Sequence, residues 1–177
     1  LPLAKGSGTF GIILVLGGGI GTLLGGWLAD HFSARAARKA RELHPYRENE
    51  EAPPDPQLTA RIELRVCALG SLVAAPLAAG CFLAPSASVF FTLAFFCEVF
   101  LFLSTAPVNT VALRTVPTEL RASAMALAIF AIHFLGDLWS PPLLGLLQDH
   151  FPIAPAMMLI PAAVAVSAAL WWPRMAD

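Results

Sequence analysis

The sequence predicts an all-α integral membrane protein with five transmembrane helices, and three observations carry that prediction. First, 57% of the 177 residues are hydrophobic and only 13% are charged, at a mean hydropathy of +0.71. An average soluble domain carries roughly 25% charged residues. Second, five apolar stretches are each long enough to cross a bilayer as a helix, which takes about 20 residues. Third, Lys and Arg occur in every other connection between those stretches.

The five spans are expected near residues 9–29, 62–84, 88–113, 119–147 and 153–172. Their apolar residues run all round the helix instead of along one stripe, which fits a lipid environment. Lipid offers no partner for backbone N–H and C=O groups, so each span is helical. Positive charge then fixes the orientation. The first connection holds Arg35, Arg38, Lys39, Arg41, Arg47 and Arg61, and the third holds Arg114 and Arg121. The second ("APSAS") and fourth ("QDHFPIAP") hold none, and the tail carries Arg174. By the positive-inside rule the 31–61 loop, the 114–121 connection and the C-terminus are cytoplasmic, and the N-terminus is external. Trp171 and Trp172 form an aromatic anchor at the last interface.

Span one carries Gly17, Gly21 and Gly25 at four-residue spacing, with Gly18, Gly19 and Gly26 beside them. Such a face lets a second helix approach closely. The span ends in "GGWLAD", placing Asp30 at the cytoplasmic boundary. In the loop that follows, "ARAARKAREL" predicts a short amphipathic helix at the membrane surface, and "HPYRENEEAPPDPQ" a polar, Pro-rich connector. Three cysteines (Cys67, Cys81, Cys97) lie in apolar runs without metal-ligand spacing and read as small buried hydrophobes. No cleavable signal peptide is expected. A net charge of −1 points to no nucleic-acid partner, and no cofactor or metal site is expected.

Spans three and four hold the residues with chemistry. Glu98 has no charged residue within fifteen positions on either side. An ionisable group at such depth is costly and by default faces a polar cavity or a partner. Phe102, Thr105 and Asn109 follow it at i+4, i+7 and i+11, on one helix face, and Pro107 predicts a bend. In span four His133, Asp137 and Ser140 fall at i, i+4 and i+7 and form a polar stripe, with Pro141–Pro142 breaking the helix beyond them. Glu98 lies sixteen residues before Arg114, and His133 fifteen after Thr118. These separations correspond to about 24 and about 22 Å of helix, so the two groups are expected at one depth, facing a shared space.

Two motifs resemble a known family. "GGWLADHFSARAARK" (with Gly26, Asp30, Arg35 and Arg38) resembles the cytoplasmic signature of the major facilitator superfamily, although His31 stands where an arginine is usual. "CEVFLFLSTAPVN" and "VPTELRASAMALAIFAIHFLGDLWSPPLLGLLQD" resemble the tenth and eleventh helices of Spinster-type transporters. The resemblance implies helices eight to twelve of a twelve-helix fold, that is, most of its C-terminal six-helix bundle without the N-terminal half. It also implies a secondary active transporter that moves a lysolipid or sphingoid lipid, with protons as the candidate coupling ion. On this resemblance Glu98 and His133 line the central cavity at the lipid head group. A bacterial inner membrane is the expected location.

Other classes fit less well. An intramembrane aspartyl protease needs a second carboxylate beside Asp137 to share a proton, and Asp30 lies at the boundary. Ser140 and His133 stand two turns apart, too far for direct proton transfer. A different major facilitator carrier for small molecules or drugs, a channel and a structural membrane subunit stay open as alternatives. Saturable, gradient-coupled flux would separate a carrier from a channel.

Overall fold

The computed structural model describes residues 3–43, 55–152 and 156–172, which are helical with short breaks; no strand occurs among them. The helices in chain order are α1 (Leu3–Leu43), α2 (Pro56–Phe82), α3 (Ala87–Phe102), α4 (Thr105–Arg114), α5 (Arg121–Ile132), α6 (Ser140–His150) and α7 (Leu159–Trp171). Helix α3 and α4 together make one candidate span, as do α5 and α6, so four are long and apolar enough to cross a membrane. The fifth expected span is represented by the shorter apolar α7. This is an all-α integral membrane protein.

Each helix has local causes. Helix α2 begins six residues before the expected edge of its span. The Asp55 side chain caps the N–H of Gln57 at 2.9 Å, and Pro56 occupies the first turn, where its missing N–H costs nothing. Ser86 starts α3 in the same way by accepting from the N–H of Val89. Helix α1 runs on unbroken to Leu43, so "ARAARKAREL" extends the first span as a single helix. It does not fold back as a separate surface helix, because no Gly or Pro interrupts the run from Trp27 to Leu43. Residues 44–54, the centre of the expected loop, lie outside the described residues.

Small residues build the packed part of the molecule. A Cβ added at Gly17 would stand 2.9 Å from Cβ of Glu98, and one at Gly21 or Gly25 would collide with the carbonyl oxygen of Val99 or Leu103. The glycines thus meet residues 98–103 in rising order, so α1 and α3 run parallel, in agreement with two spans that cross in the same direction. Such close approach brings Cα–H groups onto carbonyls, contacts worth about 0.5–1 kcal/mol each. The Leu103 carbonyl is available for this because Pro107, four residues on, has no N–H to give it. The span breaks at the same place, between Phe102 and Thr105. On the other side of α3, a Cβ on Gly70 would lie 2.7 Å from the Phe100 carbonyl. Ala74 and Ala78 of α2 pack on Cys97, with Val164 of α7 against the cluster. All three cysteines are free thiols. Cys67 and Cys97 are buried, and their Sγ atoms point at the carbonyls of Ser104 and Ala74.

Candidate functional site

Glu98 sits where α3 passes Gly17 of α1 and is half-buried. One turn later Phe102 lays its ring 3.4 Å from where a Cβ of Gly18 would be. Phe102 and Leu14, Gly18, Gly19, Thr22 and Leu23 line an open apolar groove of about 480 Å³ between these helices. Its walls come from one cause: glycines on α1 leave room that a phenylalanine fills in part. Thr105 opens α4 half-buried, and Asn109 is exposed on the same helix.

His133 and Asp137 meet directly. His133 Nδ1 and Asp137 Oδ2 are 2.5 Å apart, and the two side chains are 67% and 66% exposed. They are the first and last residues of a π-helical turn, His133–Asp137, in which the N–H of Leu138 donates to the carbonyl of His133 at 3.0 Å. A π turn is one residue wider than an α turn and is frequent at functional sites. It also shifts the phase of everything after it by about one residue, roughly 100° on an α-helix. Ser140, the first residue of α6, is thereby rotated away from the straight stripe that its i+7 spacing implies. The helix resumes only after Leu138–Trp139, immediately before Pro141 and Pro142.

The structure brings His133 to Asp137 and Glu98 to α1; no hydrogen bond or ion pair joins Glu98 to His133 among the described residues. No residue of 118–150 is buried. Of the half-covered positions of α5, Ala124, Ala128 and Ala131 lie on the face away from His133 and Met125 lies to the side.

A second polar site escaped the sequence reading. The Glu63 carboxylate, 2% exposed on α2, accepts from Arg114 Nη1 at 2.7 Å. This pair ties the end of α4 to α2. Glu63 Oε2 is buried with no hydrogen-bond partner in the described structure, as is Ser33 Oγ. The available signal was a lone acid in "RIELRVC" at a span edge, with Arg114 at the edge of the next span. On the signature helix, Gly26 packs 3.5 Å (from an added Cβ) against Ala106. Asp30, Arg35 and Arg38 are exposed, and His31 stacks on Trp27 with ring centroids 5.2 Å apart.

Comparison with known proteins gives the family context. The model of the Organic Anion Transporter Polypeptide (OATP) family matches residues 77–153. "Probable sphingolipid transporter spinster homolog 1" of Arabidopsis thaliana is 29% identical over 163 residues, 92% of this chain and 28% of that protein. "Protein spinster" of Drosophila melanogaster is 34% identical over 142 residues, 79% of this chain and 20% of that protein. A third relative, "Probable sphingolipid transporter spinster homolog 3" of Arabidopsis thaliana, is 37% identical over 76 residues, 42% of this chain and 15% of that protein. No solved structure matches. The chain spans about a quarter or less of the length of these curated relatives. By sequence similarity along nearly all of its own length, and by its all-helical membrane fold, the chain is a homologue of the spinster-type transporters.

Proposed function

We propose that the chain is part of a secondary active transporter for a lipid-like, amphipathic substrate and acts as most of the C-terminal bundle of a major facilitator fold, with no enzymatic step of its own. One observation carries this reading: a His–Asp pair, joined at 2.5 Å, stands at a π turn in an otherwise apolar span. Ionisable groups inside a membrane mark substrate or proton paths, and interrupted helices near the midplane are common at transporter binding sites. Glu98 and His133 receive the polar head group. The apolar groove beside Phe102 takes part of the hydrocarbon. Protons are the coupling ion, exchanged at the same groups. Alternating access needs a second bundle rocking against this one around the site; the N-terminal half of that fold supplies it, covering the bare side of span four.

The OATP match favours one second reading, an amphipathic organic anion as substrate. Flux of labelled lysolipid or sphingoid lipid into vesicles, with and without a competing organic anion, separates the two. The same assay tests the site. Under an imposed pH gradient, Glu98→Gln and His133→Ala are each expected to lose most of the flux. Full transport with unchanged pH dependence in both variants would contradict the assignment.

A further inference from the structure

The π turn assigns Asp137 a different job from that of His133. We propose that Asp137 is a positioning residue: its carboxylate accepts the Nδ1–H of His133 across the π turn, so that Nε2 is the atom presented to the head group. The proposal deepens the transport reading and rests on it for the head group alone.

Four observations support it. The contact is made at Nδ1, and an ionised carboxylate can only accept, so the bond puts a proton on that nitrogen. Both side chains are about two-thirds exposed, so no neighbour within these helices packs the ring in place, and the carboxylate is its one hydrogen-bond partner among the described residues. The pair joins the two ends of the segment in which the backbone departs from α geometry. Finally, the turn is flanked on its far side by an interrupted backbone ladder. Pro141 and Pro142 cannot donate to the carbonyls of Asp137 and Leu138, so regular α bonding stops directly after the site. Gly136, with open space around it, adds no side chain to obstruct the turn.

The consequence is chemical. With Nδ1 occupied, proton exchange and head-group contact both pass through Nε2. This nitrogen accepts a hydrogen bond from a hydroxyl or ammonium group when the ring is neutral, and donates to a phosphate oxygen when it is protonated. Orienting partners of this kind fix histidine tautomers at metal sites, where their loss costs 10–100-fold.

The test uses full-length protein with ¹⁵N-labelled histidine in bilayers, the His133 signals being assigned by their loss in His133→Gln. Solid-state NMR of the neutral ring should show the proton on Nδ1 in the wild type. Asp137→Ala should move it to Nε2, the form free histidine prefers, and cut lipid flux about 10-fold or more. Asp137→Asn, whose amide oxygen still accepts, should keep the proton on Nδ1 and recover part of the flux. An Nε2-protonated ring in the wild type, an unchanged ring in Asp137→Ala, or flux in Asp137→Asn no better than in Asp137→Ala would each overturn the proposal. If the tautomer responds as expected while His133→Ala transports normally, the positioning stands and the transport role of His133 falls.

Discussion

Two regions of one chain meet the membrane in opposite ways. Helices α1 to α4 bury glycine, alanine and cysteine against one another and bring backbone within reach of backbone. The 118–150 span buries nothing and exposes Leu127, Phe130, Leu135 and Leu138. Hydropathy hardly distinguishes them, since the best windows average 1.9 in the first span and 1.6 in the fourth. The difference lies in where the glycines fall: Gly17, Gly21, Gly25 and Gly70 meet residues 95–103, whereas Gly136 and Gly145 meet nothing within 4 Å. Lipid tails are as apolar as Leu, so large apolar residues gain little by leaving them, whereas small residues gain dispersion contacts by bringing helices together. The region that packs is the scaffold; the region that does not pack carries the polar pair.

The comparison can be broken most sharply at the cytoplasmic end of the scaffold. Arg114→Ala removes the partner of a carboxylate that is 2% exposed, and should cost about 3 kcal/mol or more. Steric-trap unfolding in bicelles measures it. A loss below about 0.5 kcal/mol, the size of an ordinary surface change, would show that the Glu63 pair is ornamental. Gly25→Ala forces a methyl group onto the Leu103 carbonyl and should cost about 1–3 kcal/mol. Gly19→Ala on the same helix meets nothing within 4 Å, and should be neutral or slightly stabilising because Ala is the better helix former. Equal effects at the two glycines would contradict the seam. Next comes Ser86→Ala, which removes the α3 cap and should cost about 1 kcal/mol by the same assay. The smallest effect is expected in the bare span. Leu135→Ala, at a residue 71% exposed, should change stability by less than about 0.5 kcal/mol.

Much of the scaffold was legible in the sequence. The Gly17–Gly21–Gly25 spacing announced a close helix contact, and the alternation of basic connections implied that spans one and three run parallel, as they do. Pro107 announced a bend, and the helix is broken between Phe102 and Thr105. What the sequence did not tell was where the chain would use these features. A glycine face does not name its partner, and the match to the carbonyls of residues 99 and 103 depends on the register of two distant helices. The boundary at Asp55–Pro56 carries a capping signal, but Pro56–Arg61 are too polar to register as part of an apolar span. Site residues were legible as types. Glu98, His133 and Asp137 stood out because charge is rare in such runs. The π turn was not legible, because an α stripe and a π turn both bring i and i+4 together; only the position of Ser140 tells them apart. Glu63 was missed because, at a span edge, it looked like an ordinary interfacial charge.

The central claim is that the His133 face of the fourth span lines a substrate path while its opposite face does not. Within the unbroken α5 helix, Ala126 lies two turns before His133 on the same side, and Ala124 lies opposite. The direct measurement introduces a single cysteine at each position in full-length protein whose native cysteines are replaced by alanine. Each is then labelled with a membrane-impermeant thiol reagent, with and without lipid substrate. The account predicts that Ala126→Cys reacts and is protected by substrate, and that Ala124→Cys stays unreactive in both conditions. Reaction at Ala124→Cys with no reaction at Ala126→Cys, or labelling at Ala126→Cys that substrate does not change, would contradict it.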